Sequence, residues 1–298
     1  MSEIVSIKKM ETYLVVYLDF LGASDKMSND ADGKLLNDIS ALYSRISDTL
    51  SKNKVKGMSD VKMKMFSDNL VLATRYDESL DFNKFYSTKL QGLLSLTALL
   101  QVYSLDKLGL LIRGGITIGK LYIDDDFVWG PALVDGHTME SKISIYPRVI
   151  VDASLIEIIS QKVSELAEHA NKKYVDDVQS FICRDVDNIH YLNYHYFILK
   201  YKKALEKLIV LEVDGSTDEF ISIARAASFI PSKLKSEKKS LLTLLNECPD
   251  IRAYQKISWA INYHNSFCKK VNAPSDYLIP DELCSHFPLH KKEGKKEN

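Results

Sequence analysis

Residues 60–74 read DVKMKMFSDNLVLAT. Two strand-like runs, 61–66 and 70–74, flank the polar triplet Ser67-Asp68-Asn69. Apolar runs around a short polar turn signal a β-hairpin. Lys62, Lys64, Phe66 and Asp68 alternate along it and so share one face. Upstream, YLVVYLDF (13–20) is a near-continuous apolar run, the pattern of a strand buried on both faces. Gly22 breaks that strand. Leu35, Leu36, Ile39, Leu42, Ile46 and Leu50 then recur at helical spacing.

Downstream of the hairpin, residues 80–109 predict a second long helix ended by Gly109. LLIRGGITIGKLYID (110–124) and DFVWGPALV (126–134) read as two more strands. DGHTMESKI (135–143) reads as the start of a short helix, and RVIVDASL (148–155) as a strand. Asp152 or Ser154 is placed to cap the helix that follows. The resulting order, β-α-β-β-α-β-β-α-β and then helix, predicts an α+β fold: a ferredoxin-like β-α-β-β-α-β core with additions. Ten of the twelve glycines precede residue 137. Tight turns and close backbone approaches are therefore expected in the first half and mainly helix in the second. Further strands are expected around DNIHYL (187–192) and YFILKY (196–201). The expected organisation is a core over 1–154, a mainly helical extension over 155–290, and a Lys-rich, disordered tail over 291–298.

Composition narrows the function classes. The chain has 298 residues, 39 Lys+Arg against 40 Asp+Glu, a net charge of -1 and 46% hydrophobic residues. It is too apolar to be disordered, and it has no bulk charge to attract nucleic acid or an anionic membrane surface. Cys183, Cys248, Cys268 and Cys284 form no close pair and no metal-type spacing, which predicts a reduced, cytoplasmic chain. No apolar run approaches the roughly 20 residues that span a bilayer. Residues 1–20 read as a strand with its lead-in rather than a signal peptide. The seven histidines are scattered, and neither His137 nor His264 has metal-ligand spacing to another His or Cys. Trp129 and Trp259 read as core or dimer-interface anchors.

Two carboxylates stand out. Asp19 ends a hydrophobic strand, where an unpaired buried charge costs several kcal/mol. Asp68 lies at the hairpin tip, and a β-α-β-β-α-β core makes that hairpin the neighbour of the first strand. Each residue alone could serve turn chemistry. Brought together they repel unless a cation joins them, and a site of few oxygen ligands suits Mg²⁺ or Mn²⁺ bound with a substrate's phosphates.

YLDFLG (17–22), KMFSDNLVLA (64–73), LIRGGITIGKLY (111–122) and VWGPALVDGHTMES (128–141) together resemble the class III nucleotidyl cyclases. RGGIT-x-G with GPALV…ES is closer to one branch, the pyrimidine nucleotide cyclases of bacterial anti-phage (Pycsar) signalling. YVDDV (174–178) and IRAYQKISWAINYHNSF (251–267) also resemble that branch's C-terminal part, so the resemblance reaches about residue 270. It implies that Asp19, Asp68 and the backbone carbonyl of Phe20 hold two divalent cations, Mn²⁺ or Mg²⁺. Gly130 and Glu140 match the ends of the last motif. Arg113 is either a phosphate contact or a structural partner of Glu140 or another acid.

The departures matter as much. The family's transition-state Asn position falls on Val134 and its phosphate-contacting Arg position on Thr138. Lys64 matches the base-reading lysine, but the Asp that completes adenine recognition is Phe127 here. That argues against ATP and GTP more firmly than it argues for UTP, the preferred substrate, over CTP. The resemblance further implies a head-to-tail homodimer and a product that is a 3′,5′-cyclic monophosphate acting on a separate effector. Two readings stand beside it. One is a catalytically silent nucleotide-sensing or dimerisation module, motivated by Val134 and Thr138. The other is a diguanylate cyclase or polymerase palm, whose polymerase form the near-neutral charge disfavours.

Overall fold

The computed structural model describes residues 8–51, 60–211 and 218–285. The chain is α+β and divides into two compact units, residues 1–201 and 202–298. The first begins with β1 (Glu11–Leu21), α1 (Ala23–Ser28) and α2 (Lys34–Ser51). The hairpin β2 (Lys62–Phe66) and β3 (Asn69–Arg75) follows. A helical stretch then runs through α3 (Phe82–Phe85) and α4 (Gln91–Tyr103), with a π turn after each. Next come β4 (Leu111–Ile123), β5 (Val128–Trp129), α5 (Pro131–Thr138), β6 (Val149–Val151), α6 (Ala153–Leu166) and α7 (Lys172–Phe181). The short strands β7 (Ile182–Arg184) and β8 (His190–Leu192) precede α8 (Tyr194–Leu211), within which the unit boundary falls.

The sheet order is β2-β3-β1-β4-β6-β8-β7, with β5 paired to β4. Among β2, β3, β1 and β4 every neighbour is antiparallel, and β4–β6 is the parallel pairing. β1 is central and buried on both faces, which is why its sequence reads as a continuous apolar run rather than an alternating one. The register puts Tyr13, Val15, Tyr17 and Asp19 on one face with Ala73, Val71 and Asn69 of β3. Gly119, Thr117, Gly115 and Arg113 of β4 share it. Here Tyr13, Val15, Tyr17, Val71, Ala73 and Leu121 form an apolar cluster with Ala132 of α5. Glycines let α5 come close. A Cβ on Gly115 would stand 2.6 Å from Met139 Cβ, and one on Gly136 2.8 Å from Tyr17 Cβ. On the opposite face Leu14, Val16, Leu18 and Phe20 are buried as completely.

Several expectations change. Of the strand expected over 126–134 only Val128–Trp129 forms, and Pro131 opens α5 four residues before the expected helix start. Proline at the first helical position accounts for this, since its fixed φ suits a helix and its missing N–H costs nothing there. YFILKY is helical rather than extended, a short apolar run that periodicity cannot assign by itself. β8 falls within DNIHYL, whereas β7 was not anticipated. The hairpin turn is Ser67-Asp68, because Asn69 already pairs with Phe66. Leu36 is exposed, off the buried stripe of Leu42, Ile46 and Leu50. Asp152, not Ser154, caps α6, accepting from the Ser154 N–H.

The core boundary expected at residue 154 lies inside the first unit, whose sheet continues through β8 and β7. Arg148, 1% exposed, pairs with Asp185 and Asp187 and so ties the β7–β8 turn to the strand start at β6. In the second unit α9 (Asp218–Asn246) packs on α10 (Ile251–Lys270), followed by α11 (Glu282–Ser285). Asn265 exchanges two hydrogen bonds with the Ile279 backbone, and Lys238 donates to the Asp276 and Leu278 carbonyls. The tail expected over 291–298 lies outside the described residues. No helix among the described residues is long and apolar enough to cross a membrane.

Candidate active site

Asp19 and the Asp68 turn both lie at the C-terminal end of β1. Asp19 pairs in register with Asn69 on β3 and with Arg113 on β4. Asp68 sits in the two-residue turn, whose tight closure requires Ser67 to adopt a positive φ of 55°. The Phe20 N–H donates to the Asp68 carbonyl at 3.0 Å, joining the turn to the strand end. Ser24 Oγ donates to one Asp68 carboxylate oxygen at 2.8 Å and Asn69 Nδ2 to the other at 3.0 Å. Both oxygens of Asp68 are thus oriented before any ligand arrives.

Glu140, in the π turn after α5, is the third carboxylate. Arg113 bridges it to Asp19: Nε donates to Asp19 Oδ2 at 3.0 Å, and Nη2 lies 2.5 Å from Glu140 Oε1. The second contact is an ion pair off the line a hydrogen bond needs, so Oε1 is a buried acceptor without a hydrogen-bond donor. Burial pushes the Glu140 carboxyl up to about 7, Arg113 opposes the rise, and the Asp19 charge, a hydrogen bond to Asp19 and the Asp68 charge add to it. The Tyr17 hydroxyl is pushed up to about 12, first by burial and then by the charges of Glu140, Asp19 and Asp68. Among the described residues, three carboxylates therefore act on one neighbourhood beside the Arg113 guanidinium.

Lys64 and Phe127 go elsewhere. Lys64 Nζ donates to the Asp125 carbonyl and Lys62 Nζ to the Ile123 carbonyl at 2.6 Å, so both lysines of β2 hold the β4–β5 turn. Phe127, in that turn, packs on Tyr122 with ring centroids 5.2 Å apart and lies under Lys8 Nζ at 4.5 Å. Its N–H donates to Asp124. The expected site residues thus form two groups within one chain: Asp19, Phe20, Asp68 and Arg113 at the strand end, and Lys64 and Phe127 at the β4–β5 turn. Trp129 on β5, two residues from Phe127, and Val134 on α5 are exposed.

Sequence reasoning missed Ser24, Asn69 and Tyr17. Ser24 reaches Asp68 from 44 residues away, and Tyr17 reads as core in an apolar strand. His137, whose spacing carries no metal signal, lies edge-on to Tyr17 with centroids 5.5 Å apart. No family model matches the chain, and no curated protein matches it.

Proposed function

We propose that this chain is a class III-type nucleotidyl cyclase with a ferredoxin-like core, converting UTP, or CTP, to the 3′,5′-cyclic monophosphate and pyrophosphate. One observation carries this reading: the end of an otherwise apolar central strand and the tip of the adjacent hairpin put Asp19 and Asp68 at one end of the sheet, where the charges of both act on Tyr17 and on buried Glu140. Such a surplus of negative charge in a half-buried place is costly without a cation. The oriented oxygens of Asp68 fit a hard cation with oxygen ligands.

Asp19, Asp68 and the Phe20 backbone carbonyl would hold two divalent cations, Mn²⁺ or Mg²⁺. Bound there, those ions supply charge neutralisation for the triphosphate and acidify the 3′-hydroxyl. The 3′-hydroxyl loses its proton to solvent as its oxygen attacks the α-phosphorus in line, the bond from the α-phosphorus to the bridging oxygen breaks, and pyrophosphate leaves on that oxygen. Ser24 and Asn69 fix the Asp68 carboxylate so that no reorganisation is needed at the moment of reaction. With Phe127 where adenine recognition needs an acid, a purine has no reader, which favours a pyrimidine.

A head-to-tail homodimer accords with the separation of the two residue groups. A second copy's β4–β5 turn, with Lys64, Phe127 and exposed Trp129, could then face the first copy's carboxylates. The product would act on a separate cyclic-nucleotide-responsive effector in anti-phage defence. A catalytically silent nucleotide sensor is the second reading, favoured by the commitment of Lys64 and Arg113 to partners in their own chain and by Val134 and Thr138.

Incubating the protein with Mn²⁺ and each of the four nucleoside triphosphates, and resolving products by mass, tests both. UTP or CTP should yield a cyclic monophosphate, with Asp68→Asn lowering turnover roughly a hundredfold or more. Binding without turnover would favour the sensor, and preferential use of ATP or GTP would sink the pyrimidine assignment.

A further inference from the structure

We propose that Arg113 is a built-in stand-in for the cation: without a divalent ion its guanidinium bridges Asp19 and Glu140, and the ion must take Asp19 from it while Glu140 retains it. This rests on the reading of Asp19 and Asp68 as cation ligands. The three groups come from elements whose positions are fixed by pairing or packing. Arg113 and Asp19 are register partners on adjacent antiparallel strands, where directly opposed side chains meet. Glu140 is only 3% exposed and held by the turn that follows α5, with Met139 pressed against Gly115 of the same strand.

The contacts are unequal in a way that suits an exchange. Arg113 Nε makes a good hydrogen bond to Asp19 Oδ2 at 3.0 Å, whereas its Nη2 faces Glu140 at 2.5 Å in ion-pair contact alone. A guanidinium offers five donors in a planar fork and cannot be deprotonated. It can therefore lose Asp19 and keep its charge matched by Glu140, which has an unused acceptor position. Without the guanidinium Glu140 would be a buried carboxylate set against Asp19 and Asp68. Arg113 is then a positioning residue. It keeps Asp19 ordered and compensated in the empty site, at the expense of cation affinity, and Glu140 sets how readily it lets go.

The inference predicts opposite signs for two substitutions. Arg113→Met removes the competitor with little change in volume, so Mn²⁺ alone, titrated at pH 8 by electron paramagnetic resonance without nucleotide, should bind about tenfold tighter than to the wild type. Glu140→Gln removes the anion that receives the guanidinium, so Arg113 should hold Asp19 more firmly and Mn²⁺ should bind more weakly. Thermal unfolding provides a second readout. Arg113→Met should be the less stable protein without metal and should gain more from Mn²⁺ than the wild type does. Unchanged Mn²⁺ affinity in both variants, or shifts of the same sign, would overturn the exchange. If Arg113→Met does not fold, the direction of the Glu140→Gln shift decides alone. Asp68→Asn separates this inference from the reading beneath it. Wild-type Mn²⁺ binding that survives that change, or Mn²⁺ binding to neither the wild type nor Arg113→Met, would overturn the cation site itself.

Discussion

Glu140 titrates against its own burial, and the consequence for stability has a definite sign. Its folded value of about 7 lies above the ordinary 4.5, so between those limits the folded chain holds a proton that the unfolded chain has released. Stability from this group is greatest below about pH 4.5 and is lost as pH rises through about 7. Chemical denaturation at pH 5 and pH 8 should show Glu140→Gln gaining on the wild type at the higher pH. An equal difference at both values would mean that Glu140 holds no such proton. Asp19 and Asp68 were legible in the sequence because a charge that ends or joins apolar strands asks for an explanation. Ser24, Asn69 and Tyr17 were not, because they become site residues only through contacts across the register and across 44 positions of chain.

The β1–β4 pair sets the tolerance of the elements around the site. A Cβ on Gly114 would stand 2.2 Å from the Tyr17 carbonyl oxygen and 2.8 Å from Leu18 Cδ2, so the two strands would have to part. Gly114→Ala should cost about 3 kcal/mol in urea denaturation. Gly119→Ala, whose Cβ would meet Ala132 at 3.2 Å, should cost under about 1 kcal/mol. Reversal of that order would contradict the packing. Arg148 makes a different kind of link. Arg148 is buried, but the carboxylates it would leave behind, Asp185 and Asp187, reach water, so Arg148→Met should destabilise by about 1 kcal/mol. Hydrogen exchange should rise first in β7 and β8 if the hairpin depends on it. The hairpin β2–β3, strand β1 and the long helices were legible because turn residues and periodicity agree there. The start of α5 was signalled by Pro131 but masked by the strand-like run around it, and the helical state of YFILKY was not legible because a short apolar run carries no period of its own. The anchoring of β7 and β8 by Arg148 needs partners 37 and 39 residues away, which no local pattern encodes.

At the scale of the whole molecule, the candidate site belongs to the first unit, and the second has its own buried charge. His264, inside α10, lies 3.3 Å from Glu237 and 3.0 Å from the Tyr277 carbonyl, with Cys268 one turn further on at 3.4 Å. Burial alone would lower its pKa, but Cys268, Glu237 and the Tyr277 carbonyl outweigh that and raise it to about 10 from 6.5. The stabilisation is therefore complete below about pH 6.5 and lost as pH rises through about 10. With Trp129→Phe as background, Trp259 fluorescence should report a urea midpoint that falls over that range, and less so in Glu237→Gln. A flat midpoint would exclude a charged His264. The sheet of the first unit carries a last consequence, one of parity. Because β1 is held between two partners along its length, Asp19 reaches its cluster only as an odd-numbered neighbour of Tyr17 and Val15. One residue inserted between Val15 and Val16 would leave composition and charge almost untouched, yet it would turn Asp19 to the face of Leu14 and carry Val16 to the face of Val15, whereas two inserted residues would turn both back.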